Sequence, residues 1–338
     1  MSRRGETADD IAGTSLRTGS GPRAAITKVP WSTLKAASET FSGRLTPTDR
    51  PGHYRLEIPD LPQVAAVYPD PGLTRFCLRY QLGPCPNSDR AWAAFVSEPQ
   101  RALWVARYAL EAGQLIVAAE IPMVEDEEVL AVSLDIVHAD LRAAVAFRTY
   151  LSTDKLADFQ PGDQVNRQSV SPQVRANSEE VIRTWLQEAT TAGWQSVTED
   201  HGWRLVRAPW APPGFPPACY LGLGPATLTA GSAIPLQGTA TRETHQALGL
   251  FLLQHNTRSS ARARLDTRAV PLTVQSELSV PLRGLDVMHL TEAVAAVTAA
   301  YGNVRWEIEA LCDPIPAELF LEIAHARLAG SAQNGRNN

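Results

Sequence analysis

Lysine is nearly missing from this sequence: Lys28, Lys35 and Lys155 are the only three in 338 residues, and arginine carries the rest of the positive charge. We read this as coding bias. The net charge is −5 and the isoelectric point about 5.8. No overall positive field therefore exists to condense on a phosphate backbone or an anionic membrane, which argues against direct nucleic-acid binding as the main task.

Long apolar runs are missing as well. Leu248 to Leu253 and Gln114 to Ile121 fall far short of the roughly 20 residues that a membrane helix requires. The chain opens with two arginines, Arg3 and Arg4, and then has acids, glycines and serines where a signal peptide would place an unbroken apolar stretch. The expectation is a protein of the cytoplasm with no membrane partner. Four cysteines, Cys77, Cys85, Cys219 and Cys312, form no C-x-x-C pair and no zinc spacing. They read as buried free thiols.

Catalytic signatures are equally scarce. The chain contains no G-x-S-x-G elbow, no H-E-x-x-H and no Walker sequence. Gly222-Leu223-Gly224 is followed by Pro225 and strand-like residues, not by a helix whose N-terminus could hold a phosphate. Around His138 stand Asp135 and Asp140. A metal or general-base role there weighs less than a surface ion pair, because catalysis needs several groups converging. Composition points to a chain without catalytic site, cofactor or metal.

What is present is folded composition, 44% hydrophobic and 20% charged, at a length that suits two domains. Residues 1–28 lack an apolar period and read as a disordered tail. From Trp31 to Phe41 a short helical pattern runs to Ser42-Gly43. Three strands follow, His53 to Ile58, Gln63 to Tyr68 and Thr74 to Leu82, set apart by Pro, Asp and Gly turn signals. A helix from Ser88 to Val96 precedes a hairpin, Arg107 to Glu111 and Gln114 to Ile121, around Ala112-Gly113. The acids Glu125 to Glu128 then open a long helix with Leu130, Leu134, Val137, Leu141 and Val145 at helical steps. Residues 152–177, rich in Asp, Gln, Ser, Pro and Gly, read as a linker.

The second half repeats the first. Trp203-Arg204-Leu205 echoes Tyr54-Arg55-Leu56 at an offset of 149. Arg242 to His255 matches the middle helix, and Arg262 to Ser279 parallels the hairpin, with Glu277-Leu278 falling opposite Glu120-Ile121 at an offset of 157. A closing helix carries Val287, Leu290, Val294, Val297 and Tyr301. The reading is a tandem α+β repeat: units at 29–151 and 178–312, each an antiparallel five-stranded sheet packed with three helices in the order α-β-β-β-α-β-β-α. An extra helix at 313–330 is expected to present Leu319, Ile323 and Leu328 on one side.

The run QRALWVARYALEAGQLIVAAEIPM, followed by an acidic long helix, resembles the YbjN group within the type III secretion chaperone-like superfamily, and FLLQHNTRSSARARLDTRAVPLTVQSEL is similar to the same stretch. The resemblance spans Arg75 to Tyr150 and Ala240 to Leu311. It implies small, often dimeric proteins that bind other proteins without ATP or a catalytic site. Here one chain would supply both paired units, and a homodimer stays open. The proline-rich loop, the linker and the last helix depart from that pattern.

The resulting expectation is a chaperone-like or adaptor module that binds a soluble protein through apolar sheet or groove surface. Most of the eight tryptophans read as core anchors. Trp210 and Phe215, in the proline-dense segment APWAPPGFPP, are the candidate partner-binding residues. The alternative is a regulator contacting DNA through Arg258, Arg262, Arg264 and Arg268, although strand alternation would disperse some of that charge.

Overall fold

In the computed structural model one order of elements occurs twice. The first copy runs α1 (Trp31–Glu39), β1 (Arg44–Pro47), β2 (Tyr54–Glu57), β3 (Ala65–Pro69), β4 (Arg75–Pro84), α2 (Asp89–Phe95), β5 (Arg107–Glu111), β6 (Gln114–Pro122) and α3 (Glu127–Ser152). The second runs α4 (Pro172–Ala189), β7 (Trp194–Glu199), β8 (Gly202–Arg207), β9 (Ala218–Leu223), β10 (Thr227–Pro235), α5 (Arg242–His255), β11 (Arg262–Asp266), β12 (Thr273–Pro281) and α6 (Val287–Leu311). A last helix, α7 (Pro314–Asn334), stands outside the repeat. The structure describes residues 29–334 except 72–73, 86–88, 98–99, 101–102, 153–168, 192, 201, 212–214 and 238–240, and leaves out the side chains of 89–91, 150, 152 and 328–334. The expected tail at 1–28 and most of the expected linker lie outside the described residues.

Each copy forms one antiparallel sheet of six strands, in the orders β1-β2-β3-β4-β6-β5 and β11-β12-β10-β9-β8-β7. The expected five-stranded sheet is thus corrected by one strand per unit. In the first copy the added strand is β1, whose four residues Arg-Leu-Thr-Pro pair with Tyr54–Glu57. Only Leu45 of β1 is buried, so the segment offers too short an apolar alternation to be recognised. The expected linker also ends early, because α4 starts at Pro172. Ser171 caps it by accepting from the Val174 amide, and proline fills the first helical turn.

Strand register fixes the relation between the copies. Pro122 pairs with Arg75 and Pro281 with Thr227. The next residue donates in each case to the residue before the partner strand, Met123 to Thr74 and Leu282 to Ala226. Counting back from these ends places Glu277 at the position of Ala118, and Ser279 at that of Glu120, which corrects the offset of 157. The cause is the hairpin connection: Ala112-Gly113 in the first copy, Thr267 to Leu272 in the second.

Helices cover one face of each sheet. Phe76, Leu78 and Tyr80 on β4 and Leu115, Val117, Ala119 and Ile121 on β6 point into the first core, as strand alternation requires. Phe95, Tyr108 and Phe147 close it, with Phe95 and Phe147 in edge contact at 5.1 Å. Each such aromatic contributes about 3–5 kcal/mol against truncation to alanine. The same core continues into α5 through Ala247, Leu248, Leu250, Leu252 and Leu253. The copies therefore share apolar interior, and α5 packs across α2.

Hydrogen bonds close the inner sheet edges, β5 and β11, against each other's unit. Leu265 of β11 donates to the carbonyl oxygen of Val96 at the end of α2 (2.7 Å). Reciprocally, Thr257 just past α5 donates to Leu110 of β5 (2.7 Å). Asn256 bridges both strands. Its Nδ2 donates to Tyr108 O (3.0 Å) and Ala263 O (3.1 Å), and its Oδ1 accepts from Ala263 N (2.6 Å).

The last helix packs its Ala317, Leu321 and Ala324 face inward, with Phe320 edge-on to Phe251 of α5. Leu319 and Ile323 share one side, which is turned away from the core and exposed; the side chain of Leu328 lies outside those described. No helix among the described residues is long and apolar enough to cross a membrane.

Candidate partner-binding edge

Two sheet edges face outward, β1 and β7, and they differ. Among the described ladders, β1 pairs only with β2 and β7 only with β8. β1 is four residues long, ends in Pro47 and tucks Leu45 under α1. Proline and shortness are the usual guards of an exposed edge. β7 has six residues, Trp-Gln-Ser-Val-Thr-Glu, with neither proline nor lysine, and all but Trp194 are exposed. Its alternation puts Gln195, Val197 and Glu199 on the outer face and Ser196 and Thr198 on the helix side, where α4 does not cover them.

The proline-dense loop is fastened to the start of this strand. Ala208 N donates to Gly193 O (2.8 Å) and Arg207 N to Pro217 O (3.0 Å). Gly193 has φ +91°, and a β-carbon there would lie 2.9 Å from that of Ala211. Phe215 stacks on Trp194 with ring centroids 5.4 Å apart and joins the second core's margin. Trp210 stays 61% exposed. Of the two residues singled out in this loop, Phe215 anchors it and Trp210 faces solvent.

The sheet faces away from the helices carry charged side chains, and on the first these surround a small buried apolar cluster of Ala109, Ile116 and Ala118. On the first lie Arg75, Arg79, Arg107, Glu111 and Glu120. Arg75 binds Glu120 (2.8 Å) and reaches Glu292 of the second unit (2.9 Å). On the second, Glu277 sits between Arg262 (3.0 Å) and Arg264 (2.9 Å) and accepts from Tyr220 (2.5 Å), whose ring lies over Gly231. Burial would raise the Glu277 pKa. The Arg262 charge and the Arg264 contacts outweigh it and lower the value to about 2. Arg262 also donates to the carbonyl oxygen of Leu103 in the first unit.

The arginine patch therefore divides. Arg262 and Arg264 share one strand face and are buried, while Arg258 and Arg268 are exposed.

His138 does not meet Asp135. Its Nε2 lies 2.8 Å from Asp60 Oδ1, and Arg142 binds the other oxygen of Asp60. Asp140 is buried and accepts from the amides of Trp104, Val105 and Ala106 at 2.8–2.9 Å. Burial pushes its pKa up to about 6. Burial likewise pushes the Cys77 thiol to about 11, which removes the thiolate a nucleophile requires. Gly222-Leu223-Gly224 closes β9 and enters a turn.

Among the described residues no three His, Cys, Asp or Glu side chains are placed to hold a metal. A small cleft between the units, about 40 Å³, is lined by Arg75, Glu120, Ser279, Arg283, His289 and Glu292. Its Arg75 is already paired twice. Sequence reasoning missed Asn256, a lone polar residue after a helix, and Trp306, expected in the core and 70% exposed. No family model matches the chain, and no curated protein matches it.

Proposed function

We propose that this chain is a protein-binding module of the chaperone or adaptor kind, without catalysis, which holds an extended segment of its protein partner as an added strand on β7. The outer edge of β7, which no strand or proline guards among the described residues, carries this reading. An exposed edge is a row of unused amides and carbonyls, and an incoming strand satisfies them while its side chains read the two flanking faces. Trp210 supplies the aromatic anchor beside that strand, and Phe215 holds the loop in place for it. The resemblance to secretion chaperone-like proteins supports the same reading, since one chain carries two units whose inner edges are consumed in their joint. The outer sheet faces are charged where they are exposed, and the apolar cluster of the first is buried, so the expected contact moves from apolar sheet surface to the strand edge. No observation favours the DNA reading, because Arg262 and Arg264 are occupied by Glu277.

The test is capture of protein from the source cells on immobilised wild type, Val197→Pro, Thr198→Pro and Trp210→Ala. Adjacent positions alternate in facing outward, so one of the two prolines removes an outward donor while leaving the β8 ladder intact. That variant is expected to lose a stoichiometric partner while keeping its melting temperature. Trp210→Ala is expected to weaken binding about tenfold or more. Equal capture by all four proteins contradicts the proposal.

A further inference from the structure

The last helix is apolar on two opposite sides. Its inner side is used, by Ala317, Leu321 and Ala324 against the core and by His325, whose ring lies 5.1 Å from that of Trp92. Its outer side carries Ile315, Leu319 and Ile323, which are 77%, 56% and 46% exposed. Steps of four put these three on one stripe, which the exposed Ala326 extends. Scattered exposed apolar residues need no explanation, but an ordered stripe marks a surface that another molecule covers.

The charges beside the stripe state what kind of molecule. Glu318 and Glu322 are exposed along one flank of it, and Asp313 is exposed at the turn that leads into the helix. Against these three acids α7 sets one arginine, Arg327, while Arg305 of α6 is taken by Glu309 at 2.8 Å. A second copy of this helix, laid antiparallel, would bring the Glu318–Glu322 flank against its own equivalent, a like-charge contact that opposes pairing. The same acids repel an anionic lipid surface.

We infer that the outer face of α7 docks a basic amphipathic helix of a partner protein, with apolar residues at helical spacing on Ile315, Leu319 and Ile323 and lysines or arginines toward Glu318 and Glu322. This is helix-on-helix recognition. It uses a surface separate from β7 and stands or falls independently of the strand proposal.

The probe is a fluorescein-labelled amphipathic peptide of leucine and lysine, about 18 residues long to cover the stripe, titrated with the full-length protein and followed by anisotropy. A leucine–glutamate peptide of the same pattern serves as control. The lysine peptide is expected to bind saturably and the glutamate peptide at least tenfold more weakly. Leu319→Ser with Ile323→Ser is expected to lower affinity about tenfold or more, and Glu318→Gln with Glu322→Gln about threefold to tenfold, with all melting temperatures unchanged. Affinity that is equal for both peptides, or unmoved by the serine pair, overturns the inference. So does wild-type protein that sediments as a dimer and becomes monomeric in the serine variant, because the stripe is then a contact between copies.

Discussion

Asn256 Nδ2 donates to the carbonyl oxygen of Tyr108 at 3.0 Å, across the line between the two units. The same amide group satisfies both polar atoms of the Ala263 backbone. One buried side chain thereby closes the β5 edge and the β11 edge together, and the outward strands are left as the open ones.

Replacing Asn256 by Asp keeps the shape of the side chain, changes its donor group into an acceptor and adds a buried negative charge. Two buried carbonyl oxygens would then face a carboxylate oxygen. A buried polar group left unsatisfied costs about 1–3 kcal/mol, so Asn256→Asp is expected to destabilise by at least about 3 kcal/mol in urea unfolding. A loss below about 1 kcal/mol would show that the bridge contributes little.

Gly249 is the point of closest approach between the middle helices. A β-carbon there would lie 2.7 Å from Ala93 N and 2.8 Å from Ala93 Cα, both backbone atoms that cannot swing aside. Gly249→Ala is expected to cost about 1–3 kcal/mol by overpacking. Gly222→Ala, where a β-carbon meets nothing within 4 Å, is the control and is expected to stay within about 1 kcal/mol of wild type. Equal effects would contradict the packed crossing.

Glu277 compensates two buried arginines. Glu277→Ala leaves Arg262 without its carboxylate and Arg264 with only Asp266 at 3.8 Å, and is expected to cost about 3–5 kcal/mol. Acid acts on the same group. The Glu277 pKa falls from 4.5 to about 2 on folding, so the unfolded chain binds more protons between those values and stability drops as pH falls through that window. At higher pH two groups oppose each other. Burial, with the Arg107 charge, lowers His255 from 6.5 to about 4, so its contribution is lost as pH falls. Burial raises Asp140 from 3.8 to about 6, so its contribution grows as pH falls. The melting temperature is expected to stay nearly level between pH 6.5 and 4.5 and to fall steeply below about 4. A steep loss already complete by pH 5 would contradict this balance.

Burial pushes Cys85 to about 11 and Cys219 to about 12, beside Cys77 at about 11. Native protein at neutral pH is expected to react with a thiol-disulfide reagent orders of magnitude more slowly than protein in guanidinium, where all four thiols are released. Rapid native labelling of Cys77 would contradict its raised pKa.

The repeat was legible wherever apolar period and turn chemistry agreed, as in the β5–β6 hairpin and in α3. The rest had definite physical causes for escaping. Pro172–Ser178 carries no apolar stripe, so its helix is held by the Ser171 cap and tertiary contact, and composition alone reads it as linker. α7 has apolar residues at helical steps on both sides, and periodicity cannot choose between Leu319–Ile323 and Ala317–Leu321. The unequal hairpin turns, two residues against six, shifted the match at Glu277. The edge site depends on which strands remain unpaired, a property of topology that no local pattern carries, although the proline-dense loop did point to Trp210 as an outward aromatic.

Backbone amide exchange, read along both kinds of edge with and without the captured partner, decides whether β7 is an open edge that the partner fills. The amides of Ala263 and Leu265 on β11 are expected to be slow in the free protein, the outward amides of Gln195–Glu199 on β7 to be fast, and the latter to become slow when partner binds. Slow exchange along β7 in the free protein, or fast exchange there that partner leaves unchanged, would contradict that role for β7.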